Sequence, residues 1–139
     1  MTTSSTTCRR HLDFHPGDAT SLGIDVLRQA LVDWHLNALS EDAVLVAAEL
    51  LANAARHTPG VLSMDLDFDG SALRITVTDP SPAPPHVLPH RPDRPHGHGM
   101  YLIDQLAAAW GHRPHDRGKD VWADLTTTTP RHSGTERIG

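Results

Sequence analysis

One cysteine stands in the whole sequence, Cys8, inside a Ser/Thr-rich opening stretch, MTTSSTTCRR. A single thiol excludes an internal disulfide and a zinc site built on cysteine pairs, and it suits a reducing, cytoplasmic setting. No run approaches the roughly 18 apolar residues of a membrane-spanning helix, and residues 1–10 lack the apolar centre of a secretory signal. Positive charge is scarce as well: 12 Lys and Arg face 17 Asp and Glu, for a net charge of −5. No basic stripe is therefore present to neutralise the phosphates of a nucleic acid. Nor is there a repeat period, and 139 residues suit one domain. A domain of that size buries roughly 68–70% of its unfolded surface and stands without disulfides. These absences predict a cytoplasmic protein that contacts neither membrane nor nucleic acid directly.

What is present divides into a middle and two ends. Residues 1–10 and 126–139 are polar and without hydrophobic period, which predicts disordered tails around a domain spanning 11–125. HLDFH (11–15) predicts a short edge strand closed by Pro16-Gly17. Asp18 then offers an N-cap for a helix over 19–35, where Leu22, Val26, Ala30 and Trp34 recur at four beside Leu27 and Leu31. Ser40 offers a second cap ahead of Glu41 and Asp42, and a helix over 41–57 stops before Thr58-Pro59-Gly60. Leu62, Met64, Leu66 and Phe68 alternate with Ser63, Asp65, Asp67 and Asp69, the pattern of a half-buried strand. Asp69-Gly70 turns it into the returning strand ALRITVTD. Seven prolines break up residues 80–98, a loop long enough to be either functional or mobile. A helix over 100–109, ended by Trp110-Gly111, leads to a hairpin of 112–116 and 119–125 with Val121, Ala123 and Leu125 on one side. This order predicts an α+β fold, a two-layer α/β sandwich with helices on one face of a mixed, mostly antiparallel sheet.

Three features stand out against that frame. The helix stretch VLVAAELLANAARH is apolar on nearly every side, yet Glu49, Asn53 and His57 follow one another at intervals of four, with Arg56 near the same stripe. A carboxylate or amide turned into the core without a partner is costly, so the stripe is expected to line a polar cavity. For Arg56 and His57 a plainer reading stands beside this one, complementing the dipole at a helix C-terminus. Asp79 shares parity with Leu73, Ile75 and Val77, so its carboxylate points inward, unless it serves only as the turn residue before Pro80. In GHGMYLID, glycines just ahead of a helix free its first N–H groups for an anion, or simply form a hinge. Phosphates and a magnesium ion beside a buried polar pocket account for all three.

The segments ELLANAARH, VTDPSP and GHGMYLIDQLAAAWG, in this order and spacing and with GKDVWADL near the end, resemble the boxes of a known family. The chain resembles the histidine-kinase-like ATPase domains of the GHKL superfamily. Within it, the likeness is to short stand-alone anti-sigma-factor serine kinases, the small ATP-binding regulators of actinobacteria. The segments stand for the N-box, a reduced first nucleotide box and the glycine box, and the likeness covers roughly residues 12–125. It implies a Bergerat-type ATP-binding fold with ATP and Mg²⁺ as cofactors. By resemblance, the Asn53 oxygen is a ligand of Mg²⁺, and Glu49 is the catalytic base or positions a hydroxyl or water. Asp79 accepts the adenine amino group, and Gly97, His98, Gly99 and Met100 close on the nucleotide beneath a lid of residues 80–98. Arg56 and His57 are assigned to the same ligand.

Two departures are visible. The superfamily's DxGxG box is here Asp79-Pro80-Ser81-Pro82, and His98 stands where the short group often has arginine, with Arg91 and Arg94 as nearby substitutes. The activity implied is that of a cytoplasmic serine/threonine protein kinase that regulates transcription. It would sequester a sigma factor and phosphorylate a STAS-domain antagonist, with a homodimer as the common state. The alternative is a non-catalytic ATP-binding partner-switch module. Metal binding by His86, His90, His96 and His98 is a third idea, but a proline-broken loop fixes no ligand geometry.

Overall fold

The computed structural model describes residues 7–85 and 99–127. Its elements run β1 (Cys8–Asp13), α1 (Ser21–Asp33), a 3₁₀ turn (Asn37–Leu39), α2 (Ser40–Ala55), β2 (Ser63–Phe68), β3 (Ala72–Asp79), α3 (Gly99–Leu106), β4 (Ala109–His115) and β5 (Gly118–Thr126). The five strands form one sheet in the order β1-β2-β3-β5-β4. Every neighbouring pair is antiparallel, so among the described residues the sheet is antiparallel throughout, where a mixed one was expected. The α+β two-layer sandwich itself stands as the element order predicted.

Strand alternation sorts the sheet into two faces. Met64, Leu66, Leu73, Ile75, Val77, Val121, Ala123 and Leu125 are buried under the helices. The opposite parity places Asp65, Asp67, Arg74, Trp122 and Asp124 on the outer face. There Arg74 binds Asp124 through two nitrogens, at 2.7 and 2.9 Å, and lies 4.0 Å from the Trp122 ring. In the helix layer, α2 packs on both α1 and α3 and also against β3 and β5. Its buried residues Ala43, Val46, Ala47, Leu50, Leu51 and Ala54 make it the centre of the core. Each fully buried Leu, Ile or Val contributes about 1.5–3 kcal/mol of transfer free energy, offset by the entropy of ordering the chain.

Boundaries differ from the expectations in instructive places. β1 begins at Cys8 and so includes Cys8, Arg9 and Arg10, which composition had put in the tail. Side-chain partners hold it there: Arg9 meets Asp67 at 2.7 Å, and Arg10 meets Asp33 at 2.7 Å while lying 5.3 Å from the Trp34 ring. Asp18 does not cap α1, whose N-cap Thr20 makes no side-chain bond; the Asp18 carboxylate instead accepts the His15 N–H at 2.8 Å across the Pro16-Gly17 turn. The buried stripe of α1 is Gly23, Leu27, Ala30 and Leu31, which leaves Leu22 42% exposed. Ser40 lies inside α2, because the preceding 3₁₀ turn feeds directly into the helix. At its other end α2 stops at Ala55, so Arg56 is the C-cap and His57 lies just beyond. Trp110 and Gly111 belong to β4, not to a helix end. The Trp110 indole N–H donates to Asp104 at 2.9 Å, and a Cβ on Gly111 would sit 2.7 Å from the Trp122 ring.

Candidate functional site

At one end of the sandwich, the last turn of α2, the ends of β3 and β5 and the start of α3 enclose a cavity of about 270 Å³. The sequence puts it there for simple reasons. Leu50, Asn53, Ala54 and His57 follow the i, i+3, i+4, i+7 spacing of one helix face, so the C-terminal end of α2 and its exit supply one wall. Val77 and Asp79 supply the second wall by strand parity, Val121 and Lys119 the third, and Met100 the fourth. Ala83, Pro84 and Pro85, the described start of the expected lid, also line the cavity.

Asp79 is the most constrained group. It is only 2% exposed, and its carboxylate meets three neighbours. Oδ1 accepts the Ser81 N–H at 2.7 Å and lies 3.1 Å from His57 Nδ1, while Oδ2 lies 3.2 Å from the Lys119 ammonium. Lys119 is itself 2% exposed and donates to the Ser81 carbonyl oxygen at 2.9 Å. An isolated charge buried this deeply is prohibitive, and mutual pairing with satisfied hydrogen bonds is what makes these two tolerable. The Ser81 contact closes a small turn, so Asp79 is both the turn-former before Pro80 and an inward-facing wall residue.

The backbone sets up this pairing. Asp79 and Lys119 are cross-strand partners in the β3–β5 register. Gly118, just before Lys119, has φ +137°, and a Cβ there would overlap the Asp79 carbonyl oxygen and lie 2.6 Å from the Pro80 carbonyl carbon. Only glycine allows the β4–β5 turn to approach the end of β3 so closely.

The expected site residues divide as follows. Asn53 lines the cavity, half-buried, and its amide nitrogen donates to the Met100 sulfur at 3.4 Å. Met100, buried at the first turn of α3, completes that contact. His57 reaches Asp79 and so does more than complement a helix dipole, although its side chain is 44% exposed. Arg56 lines the rim and is exposed. Glu49 is half-buried one position off the wall formed by Leu50 and Asn53, and it is not among the cavity-lining residues. Gly99 opens α3. Gly97 and His98 lie outside the described residues, as do Arg91, Arg94 and the four loop histidines.

Lys119 is the residue that motif reading missed. Two signals in the sequence mark it: it is the chain's only lysine, and it shares parity with the buried Val121, Ala123 and Leu125. A lysine on the inward face of a strand demands a carboxylate nearby. A second hollow of about 300 Å³, near Trp34, His35 and Phe68, holds no comparable buried charge.

Chemically, the first cavity is an apolar slot with an acceptor and a donor side by side at its floor and amide, imidazole and guanidinium groups toward its mouth. That arrangement suits a flat heteroaromatic base bearing an amino group, with a polar extension leaving past Asn53 and Arg56. Among the described residues no group of three or more His, Cys, Asp or Glu side chains could hold a metal ion. Comparison with protein families gives a match to the model described as histidine kinase-like ATPase domain, over residues 18–125. No curated protein matches the chain.

Proposed function

The chain belongs to the histidine kinase-like ATPase family, and from that premise we propose that it is an anti-sigma-factor-type regulator whose activity is set by ATP in the α2–β3–β5 cavity. In this reading it is a cytoplasmic serine/threonine protein kinase. It captures a sigma factor and transfers phosphate to a serine of a STAS-domain antagonist. The observation that carries the nucleotide part is the buried Asp79 carboxylate lining one apolar slot together with Asn53.

The residues present fit the ligand. Leu50, Ala54, Val77 and Val121 offer flat apolar walls to a base, and Asp79 offers a fixed acceptor to its amino group. Asn53 offers a side-chain oxygen to Mg²⁺, the amide nitrogen being turned to Met100. A single protein ligand suits this ion, which draws most of its coordination from phosphates and water. Arg56 at the rim adds positive charge where phosphates leave the slot. Bound Mg-ATP supplies the transferable γ-phosphoryl group, and the protein's share of such chemistry is mainly positioning and charge neutralisation. Glu49 serves as base or as the group that orients the acceptor hydroxyl. Its place one position off the cavity wall requires the acceptor to approach from outside the slot.

The same placement of Glu49 favours a second reading, in which ATP shapes the partner surface and no phosphate moves. Labelled γ-phosphate separates the two. With a partner recovered from the native cell in the presence of Mg-ATP, transfer is expected for the wild type. Glu49→Ala should retain ATP binding and lose at least about tenfold in rate, the low end of what general acid–base groups contribute. Absence of transfer by the wild type selects the non-catalytic reading, and undiminished transfer by Glu49→Ala removes the role assigned to that residue.

A further inference from the structure

Beyond the acceptor role of Asp79, we infer that Lys119 is the second half of an adenine-reading pair, donating to the ring nitrogen next to the amino group and so setting purine specificity. This rests on the nucleotide reading of the cavity and goes further by naming which base edge is read and by what.

A carboxylate offers about four lone-pair sites, two on each oxygen. Oδ1 of Asp79 already meets the Ser81 N–H and His57 Nδ1, and Oδ2 meets Lys119. Among the described residues no hydrogen bond is donated to Oδ2, the oxygen beside the ammonium, so that oxygen keeps acceptor capacity. Lys119 in turn has three N–H donors; one goes to the Ser81 carbonyl oxygen, and the ammonium lies beside Asp79 Oδ2 as an ion pair. Among the described residues a donor is thus left on the ammonium next to an acceptor position on Oδ2, with 3.2 Å between the atoms that carry them. Both residues line the cavity and are 2% exposed, so a ligand edge there meets fixed groups with water excluded.

An acceptor next to a donor is complementary to a donor next to an acceptor. The Watson–Crick edge of adenine presents that pair: its amino group donates, and N1, the neighbouring nitrogen of the six-membered ring, accepts. Guanine and hypoxanthine present the reverse, a carbonyl oxygen beside a ring N–H. In the same pose their oxygen faces Asp79 and their N–H faces the ammonium, two like-with-like contacts in a buried site. Turning the base over restores the match but sends the ribose out in the opposite direction. Sites built on such groups reject a mismatched analogue strongly, because their own buried polar atoms are left unpaired. The chain carries eleven arginines, and its only lysine is here. A compact ammonium can serve three acceptors around one atom, which a planar guanidinium fork cannot.

The test uses the full chain and three nucleotides with Mg²⁺: ATP, GTP and 1-deaza-ATP, which keeps the amino group but replaces the ring nitrogen acceptor with C–H. Calorimetric affinities are expected to place 1-deaza-ATP about tenfold to a hundredfold below ATP, the loss of one hydrogen bond from a charged donor. GTP should bind at least as weakly. In Lys119→Met, provided circular dichroism shows it folded, ATP and 1-deaza-ATP should bind alike. A Lys119 that merely neutralises Asp79 would leave wild-type affinities for ATP and 1-deaza-ATP equal, and that result overturns the inference while leaving the nucleotide reading intact. So would a folded Lys119→Met that still separates the two nucleotides. Failure of the wild type to bind ATP at all overturns the nucleotide reading, and the specificity assignment falls with it. The wild-type comparison decides the matter even where the variant does not fold.

Discussion

Asp79 and Lys119 show how much one residue's neighbours decide what a substitution costs. Both are buried, and each is the other's principal counter-charge at 3.2 Å. Removing one partner from such a pair leaves an uncompensated buried charge, at a cost of about 3–5 kcal/mol. Asp79→Asn is expected to lower the unfolding free energy by about that amount in urea denaturation, and Asp79→Asn with Lys119→Met to recover most of it. A single-variant loss below about 1 kcal/mol would contradict the pairing. His11 offers a milder case on the outer face. Hydrogen bonds donated by its ring to Asp65, first, and to Asp13 hold its pKa above the ordinary 6.5. Because the folded-state value is raised, the charged imidazole stabilises the fold fully below pH 6.5. That contribution fades as pH rises through the folded value. The thermal midpoint of the wild type is therefore expected to fall between about pH 6 and about pH 8, relative to His11→Asn. The drop should be small and should shrink further in salt, because this cluster is exposed. A difference between the two proteins that stays flat with pH would contradict the assignment.

At the scale of elements, the β4–β5 turn positions the site as much as α2 does. Alanine at Gly118 must adopt φ +137° and push against Asp79 and Pro80. A strained backbone of this kind costs about 1–3 kcal/mol before any clash is counted. Gly118→Ala is thus expected to lose stability and to weaken nucleotide binding together. Gly70→Ala makes the control: its φ is +99°, but nothing lies within 4 Å of the added carbon, in the β2–β3 turn. It should lose stability and keep nucleotide affinity, and equal effects on binding would contradict the positioning role of Gly118.

The elements also show what the sequence makes legible. The β2–β3 hairpin follows from strict alternation across Asp69-Gly70, a local signal that needs no tertiary information. The caps do not follow in the same way. Asp18 is used by the His15 turn, and Ser40 is absorbed when the 3₁₀ turn runs on into α2. Where two local uses compete for one side chain, packing decides. Of the site, Asn53, Asp79 and Met100 are legible from periodicity, parity and resemblance. Lys119 escapes because its meaning depends on the β3–β5 register, which pairs residues forty positions apart in the chain.

Across the whole molecule, charge is arranged by layer. The outer sheet face carries partnered surface charges, Arg9 with Asp67 and Arg74 with Asp124, which contribute little individually. Beneath the helices the one buried lysine faces the one buried aspartate among the described residues, at the end of the core where the cavity opens. No helix among those residues is long and apolar enough to cross a membrane. Among the described residues the sandwich thus concentrates its buried charge in a single place, and the central claim is that this place binds ATP. Calorimetric titration of Mg-ATP into the full chain, Asn53→Ala and Asp79→Asn tests it most directly. The account predicts saturable binding at one site per chain, weakened at least about tenfold in each folded variant, the cost of a hydrogen-bonded or charged contact. No binding by the wild type, or affinity unchanged in both variants, would contradict it.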